Sequence, residues 1–320
     1  TAGATYLWNF DGGTILSGAG QGPYLISWPV SGTKNITLTV LQNGCLSSTT
    51  TIITTVNPPD ANAGADVSFC SGGGIATIGT TTTAGFTYSW TPTTGLSNST
   101  SANPIIILSN MGVTPVTTNY IVTTSFAGCQ VNDTVAVTVN PEPVSVAGND
   151  VSFCSGNSAV IGIANNVNYS YAWSPPGGLS GSTVSDPTVS LTHTGTVPLV
   201  VTYTVTTTFV AYGCTTSDTI KGTVYQIPTS DFTAPPDICE NQIATVLYTG
   251  NATAGANYTW SFGGGTASPG TGQGPHGVVW TNAATVNITL SVTENSCISS
   301  TTSSSVIVKP SPVPYAGPDV

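Results

Sequence analysis

The sequence predicts an all-β chain, built from tandem β-sandwich domains in an extended rod. Three observations lead to this fold class: an internal repeat of about 84 residues, apolar and polar side chains that alternate with period two, and closely spaced turn residues. The 320 residues include 36 Gly and 22 Pro, and no segment keeps the 3.6-residue period of a capped helix.

The repeat is defined by a short motif that ends in cysteine. Asp66–Cys70 reads DVSFC, which recurs at Asp150–Cys154, 84 residues later, and a related Asp237–Cys239 follows after another 85 residues. Independently, residues 1–45 match residues 253–297 without a gap, at an offset of 252 residues. The chain therefore contains four repeats, of which the first and fourth form one subtype and the second and third another.

The repeats set the predicted domain boundaries. We expect a sandwich that lacks its first strands, three complete sandwiches, and a linker with the start of a further repeat, at residues 1–59, 60–142, 143–228, 229–311 and 312–320. Proline-rich joints such as Lys309–Pro314 are stiff spacers rather than flexible tethers. The first repeat has no counterpart of residues 239–252. This fits either a window from a longer array or a first domain completed by strands of a neighbouring chain.

Alternating side chains predict which strand faces are buried. Val135, Val137 and Val139 face one side of their strand, and the polar and small residues between them face the other. The 56 Thr suit such strands, because β-branched side chains fit a pleated, half-wet surface. We expect a tryptophan in each complete core, since cysteine, tryptophan and cysteine recur in this order at Cys70/Trp90/Cys129, Cys154/Trp173/Cys214 and Cys239/Trp260/Cys297.

The charge balance excludes several partners. The chain has three Lys, no Arg, 13 acidic residues and a net charge of −10. It cannot neutralise a run of phosphates, which excludes nucleic acid as a partner, and the same deficit argues against anionic membrane surfaces. The longest aliphatic run, Ile105–Leu108, is far shorter than the ~20 residues of a membrane span.

Seven cysteines in four repeats predict one disulfide per repeat, with one partner missing in the first. The expected bonds are Cys70–Cys129, Cys154–Cys214 and Cys239–Cys297, which leave Cys45 unpaired within the chain. Metal binding is disfavoured, because there is no CxxC motif and no histidine near these cysteines. Disulfides at the repeat period indicate an oxidising, extracellular location.

With these residues in place, the chain resembles a known group of repeats. Ala63–Cys70, Tyr88–Ser97 and Asp133–Pro141 are similar to the Ig-like and PKD-like repeats of large secreted surface proteins of Bacteroidota, including gliding-motility-type adhesins. The first and fourth repeats look like the PKD-like subtype, although Gly263–Gly265 replaces that family's usual Gly-Asp-Gly. The resemblance implies export to the cell surface by the type IX route.

The sequence offers little catalytic chemistry. His193 and His276 lie in different repeat subtypes, and neither has a visible partner that would make it a catalytic base. The acidic residues are scattered, and without arginine there is no clamp for an oxyanion. We therefore expect no enzymatic activity and no cofactor.

Calcium at the domain joints is the one small-ligand alternative. Asp66, Asp150, Asp237 and Asp319 recur near these joints. Each joint offers one or two carboxylates, however, whereas Ca²⁺ takes about six to eight oxygen ligands. An aspartate that hydrogen-bonds its own backbone at a turn or strand start explains the same residues.

Two threonines are candidate modification sites. The Bacteroidota resemblance implies O-glycosylation where Asp-Ser or Asp-Thr precedes an apolar residue. Asp133 precedes Thr134 and Asp218 precedes Thr219, in both cases with valine or isoleucine next, at matching places in the second and third repeats. We expect glycans on Thr134 and Thr219.

The predicted function is structural. The chain is expected to form a surface stalk, fibre or polymerising filament at the cell surface, with copies of itself or neighbouring repeats as partners. The alternative is an adhesive module that presents loops to glycans or to another cell surface. Exposed, coplanar aromatic rings would support it, and Trp28 and Trp280 are the candidates, although they alternate with apolar residues on a predicted strand.

Overall fold

The computed structural model describes residues 3–56, 59–126, 128–314 and 317. Strands and turns make up this part of the chain, and no helix in it is long and apolar enough to cross a membrane. The chain divides into two compact units, Thr1–Glu142 and Pro143–Val320, each of which carries two repeats. The prediction of an all-β chain of tandem β-sandwiches is confirmed.

The first repeat is built around one long central strand. Its strands are β1 (Thr5–Asn9), β2 (Thr14–Ser17), β3 (Leu25–Ser27), β4 (Gly32–Gln42), β5 (Cys45–Leu46) and β6 (Thr50–Val56). β4 pairs antiparallel with β1, β5 and β6, and β2 and β3 form a separate two-stranded sheet. Ile36, Leu38 and Val40 alternate along β4 as a core face should, yet all three stay only half-buried.

The second and third repeats share one topology. The second has β7 (Val67–Cys70), β8 (Ala76–Thr77), β9 (Thr87–Thr91), β10 (Ile105–Ile106), β11 (Val116–Phe126) and β12 (Cys129–Asn140). The third has β13 (Val151–Cys154), β14 (Ser158–Val160), β15 (Tyr169–Ser174), β16 (Thr188–Ser190), β17 (Leu199–Phe209) and β18 (Thr215–Tyr225). The main sheets run β7-β12-β11-β9 and β13-β18-β17-β15, and in both the first strand pairs parallel with the last.

The cores of these two repeats follow the predicted alternation. Val135, Val137 and Val139 are buried on one face of β12, as their spacing predicts. Trp90 and Trp173 are also buried, and each indole N–H donates a hydrogen bond to a backbone oxygen, at 2.8 and 2.9 Å. A buried indole keeps its full apolar contribution only when that N–H is satisfied, so these bonds fix the tryptophan of each core.

The fourth repeat is a fuller version of the first. Its strands are β19 (Phe232–Thr233), β20 (Asp237–Cys239), β21 (Ala244–Tyr248), β22 (Asn257–Ser261), β23 (Thr266–Ser268), β24 (His276–Val279), β25 (Ala284–Glu294), β26 (Cys297–Ile298) and β27 (Thr302–Lys309). One sheet runs β20-β27-β25-β22, with β26 beside β25, and the other runs β19-β21-β24-β23. The first three of these strands precede the segment that matches the start of the first repeat.

Candidate functional sites: the disulfide joints and the open first repeat

The two cysteines of a repeat lie at opposite ends of its sandwich. In the third repeat, Cys154 lies opposite Tyr225, the last residue of β18, and Cys214 directly precedes the first residue of that strand. The 11 residues of β18, at ~3.3 Å each, separate these ends by about 36 Å. A disulfide requires Cα atoms within about 7 Å of each other. The predicted Cys154–Cys214 bond is therefore wrong.

Cys154 bonds instead to the next repeat. Its sulfur lies 2.05 Å from that of Cys297, the Cα atoms are 5.6 Å apart, and 143 residues separate the two in sequence. Cys297 begins β26, which forms a hairpin with the end of β25 through the Glu294–Cys297 pair. The bond thus joins the end of the third sandwich to a hairpin of the fourth.

The remaining cysteines also depart from the predicted pairing. Cys70 and Cys214 are disulfide-bonded, whereas Cys129 and Cys239, for which bonds were predicted, are free. Cys45 is free and exposed. The predicted bonds Cys70–Cys129 and Cys239–Cys297 are therefore wrong.

The same geometry explains both errors. Cys70 lies opposite Asn140 at the last residue of β12, and Cys129 is the first residue of that strand. In the fourth repeat Cys239 lies opposite Lys309 at the end of β27, whereas Cys297 lies at the far end of β25. A first strand that runs parallel to the last strand always places its cysteine away from the hairpin cysteine of the same repeat.

The aspartate carboxylates near the joints accept hydrogen bonds from backbone N–H groups and from a lysine side chain. Asp66 and Asp150 each accept a hydrogen bond from a backbone N–H of the facing strand, at 2.8 and 2.9 Å. Asp237 accepts one from the Lys309 ammonium at 2.7 Å. Among the described residues, no group of three His, Cys, Asp or Glu side chains could hold a metal ion. Asp319 lies outside the described residues.

The two threonines predicted to carry glycans are exposed on their strands. Thr134 lies on β12 and Thr219 lies on β18, at matching positions. The preceding Asp218 accepts two hydrogen bonds, from the N–H groups of Ala147 and Thr219, both at 2.8 Å. These two bonds lower the pKa of the Asp218 carboxyl.

Trp28 and Trp280 do not form a flat exposed platform. Trp280 is buried, and its indole N–H donates to the oxygen of Phe262 at 2.8 Å. Trp28 is half-buried, and its indole N–H donates to the oxygen of Phe10 at 2.7 Å. The Trp280 ring therefore faces the interior of its repeat, whereas the Trp28 ring lines a cleft of the first repeat.

An apolar cleft opens on the first repeat. Its volume is about 420 Å³, and its walls include Trp8, Phe10, Ile26, Trp28 and Ile36. Leu25 and Ile52, which also line it, are more than half exposed.

A second cavity lies where the first repeat meets the second. It has a volume of about 240 Å³, and its lining includes Trp28 and Val56 of the first repeat and Phe126 and Cys129 of the second. The Cys129 sulfur lies 3.5 Å from the backbone oxygen of Trp28. The free thiol therefore faces a space between two repeats. Through the alignment at offset 252, Ile26 and Ile36 of the first cleft correspond to Val278 and Ile288, which are fully buried in the fourth repeat.

Comparison with known proteins identifies no family. No protein-family model matches the chain, and no curated protein is significantly similar to it. An I-band fragment of titin matches 80% of this chain and 100% of its own length, with a TM-score of 0.43 and 11% identity. The N-terminal eight Ig domains of Down Syndrome Cell Adhesion Molecule match 95% of this chain and 50% of theirs, with a TM-score of 0.41 and 11% identity. Cadherin domains 1–4 of protocadherin gamma B7 match 95% and 92%, with a TM-score of 0.30 and 11% identity.

Proposed function

We propose that the chain is part of a structural, extracellular array whose successive sandwiches are tied covalently across their joints. The observation that carries this proposal is the Cys154–Cys297 bond, which links the third repeat to the fourth. Residues 226–231 form the peptide connection between β18 and β19 at the same joint. Two connections in parallel keep the neighbouring sandwiches together under tension better than one short linker does.

The cysteine chemistry supports an extracellular location. Four of the seven cysteines are disulfide-bonded. Such bonds persist in oxidising compartments and are reduced in the cytosol. The few charges fit the same setting, because a threonine-rich surface stays hydrated through its hydroxyl groups.

The finer identity of the array rests on the sequence resemblance. The similarity to repeats of secreted Bacteroidota surface proteins supports a stalk, fibre or polymerising filament at the cell surface. O-glycans on Thr134 and Thr219 would add further hydration, and both side chains are exposed. The PKD-like character of the first and fourth repeats belongs to the same proposal.

The alternative is an adhesive module that presents loops to glycans or to another cell. The aromatic residues of the first cleft favour it, because Trp8 and Tyr24 line an open apolar surface. Trp280 does not add to it, since it is buried. We therefore place the structural role first.

Two experiments test this proposal. In the first, a specific protease site is placed within residues 226–231 and the chain is cleaved there. The two fragments should stay joined by the Cys154–Cys297 bond without reductant and should separate when reductant is added. The Cys154→Ser variant should separate in both conditions, whereas the matched Cys239→Ser variant should behave as the parent. Electron microscopy of the native material should then show stalks or fibres. Saturable glycan binding by dispersed chains without fibres would favour the adhesive alternative instead.

A further inference from the structure

We propose that the third repeat binds a neutral sugar in a cleft beside its edge strand β15, where the Asp186 carboxylate and the Tyr169 side chain recognise the ligand. The inference goes beyond the structural role proposed above and does not rest on it. It assigns a ligand class to polar side chains that the sandwich itself does not use.

The cleft, called the β15 cleft below, lies at a free edge of the main sheet. In the part of the chain that the structure describes, β15 pairs only with β17, so its other edge is left for the loops around it. Two of these loops line the cleft: residues 161–168, which include Asn165, and residues 175–187, which include Thr183 and Asp186. The cleft has a volume of about 400 Å³, within the range of about 300–1,000 Å³ that small-molecule sites occupy.

Asp186 is the one charged residue among the described residues that line the β15 cleft. Ser185 is buried, and its hydroxyl donates a hydrogen bond to one oxygen of the Asp186 carboxylate at 2.9 Å. The second oxygen accepts no hydrogen bond from the described residues. Asp66 and Asp150 differ, because each accepts a backbone N–H of a facing strand. The Asp186 carboxylate is therefore oriented by its neighbour and open to a ligand.

The other polar groups of the β15 cleft are also unused by the fold. The Asn165 amide and the hydroxyls of Tyr169 and Thr183 form no hydrogen bond with the described residues, so the cleft offers both donors and acceptors. The Tyr169 ring packs against the Phe209 ring, with the centroids 5.2 Å apart. This contact holds the tyrosine in place without using its hydroxyl.

The second repeat shows that the sandwich does not need this chemistry. Three side chains of the cleft lose their hydroxyl or charge there, at an offset of 83 residues: Phe86 replaces Tyr169, Ala102 replaces Ser185 and Asn103 replaces Asp186. The cores match nevertheless, since the indole N–H groups of Trp90 and Trp173 donate to corresponding backbone oxygens at 2.8 and 2.9 Å. The hydroxyls and the carboxylate of the third repeat therefore serve something other than folding.

The chemistry of the β15 cleft selects a neutral sugar over other small ligands. A sugar has hydroxyl groups that donate to a carboxylate and accept from an amide, and an apolar C–H face that packs on an aromatic ring. Asp186 would repel an anion, because no basic side chain is among the described residues of the cleft. One carboxylate is too few for Ca²⁺, which takes about six to eight oxygen ligands. An ammonium ion would leave the amide and hydroxyl groups unsatisfied.

Saturation-transfer NMR on the 320-residue chain tests the site. The probes are the methyl glycosides of glucose, galactose, mannose and N-acetylglucosamine. Glucuronic acid serves as the anionic control and ethanolamine as the ammonium control. A ligand of this size should bind an open cleft with a Kd on the order of 1 mM. We expect saturable binding of at least one neutral glycoside, and weaker binding of both charged probes.

Two variants that carry the residues of the second repeat separate recognition from folding. Asp186→Asn removes the charge-assisted hydrogen bonds to the sugar and should raise the Kd at least about tenfold. Tyr169→Phe keeps the ring and removes the hydroxyl, so it should raise the Kd by about two- to tenfold. The matched control Asp60→Asn removes the same charge from an exposed side chain outside the cleft and should bind as the parent does. Circular dichroism checks that each variant is folded.

Three results would overturn the inference. The first is equal binding by the parent and the Asp186→Asn variant. The second is no saturable binding of any neutral glycoside at about ten times the expected Kd. The third is tighter binding of ethanolamine than of every glycoside, which would make the ligand an ammonium ion. None of these results bears on the Cys154–Cys297 bond, so the structural role is tested separately.

Discussion

The disulfide between Cys154 and Cys297 prevents a stretching force from extending the chain that lies between these two cysteines. The two Cα atoms are 5.6 Å apart, and 143 residues separate them in sequence. An unfolded chain extends by at most ~3.3–3.6 Å per residue, so breaking the bond should release about 470–510 Å of hidden length. While the bond is intact, unfolding of either sandwich between these cysteines adds none of this length.

Single-molecule force spectroscopy measures this length directly. Handles attached at Asn149 and Ser311 bracket the two cysteines and lie in loops. We expect short extensions for the oxidised chain and the full release after reduction or in the Cys154→Ser variant. The matched Cys239→Ser variant should keep the short extension, because Cys239 is free. Equal extensions before and after reduction would refute the reasoning, since they would mean that no bond spans the joint.

Further predictions concern acid stability, a tight turn and modification. Because the pKa of Asp218 is lowered on folding, its carboxylate stabilises the folded state fully above the unfolded pKa near 3.8. This stabilisation is lost as the pH falls through the lower folded pKa. The free energy of unfolding of the Asp218→Asn variant should therefore decrease less steeply with falling pH than that of the parent chain. A Cβ at Gly162, which has φ +83°, would meet a backbone oxygen, so Gly162→Ala should cost about 2–4 kcal/mol in urea unfolding. Gly156→Ala, at a similar φ with open space around it, should cost only about 1–2 kcal/mol, and equal losses would contradict the packing argument. Peptide mass mapping of native material should find glycans on Thr134 and Thr219, and two bare threonines would remove that proposal.

The fold could be predicted because its signals are local. Period-two alternation along β12 places Val135, Val137 and Val139 on one face, and all three are buried there. The tryptophans of the second and third repeats could be placed for the same reason, because each sits on a short strand with a tyrosine two residues earlier. A local pattern suffices where burial depends on which face of a strand a residue occupies.

The disulfide pairing could not be predicted from the same signals. The order cysteine, tryptophan, cysteine within each repeat favours pairing inside the repeat. Whether Cys154 lies beside Cys214 or at the opposite end depends on the direction of β13 relative to β18, which is parallel. The sequence does not show whether the two strands run parallel or antiparallel. The 84-residue spacing of the cysteines fits bonds between successive repeats as well as bonds within each repeat.

The sequence contained only part of the information needed to predict the apolar cleft of the first repeat. The alignment at offset 252 shows that Ile26 and Ile36 correspond to core residues of the fourth repeat. It does not show that Cys129 lines a cavity with Val56. That relation depends on how two repeats pack, which no pattern within one repeat encodes.

The most direct test of the central claim is peptide mapping of the oxidised chain by mass spectrometry, with free thiols alkylated before digestion. The account predicts a cross-linked peptide that joins Cys154 to Cys297, with alkyl groups on Cys45, Cys129 and Cys239. Cross-links within repeats, Cys154 to Cys214 or Cys239 to Cys297, would contradict it.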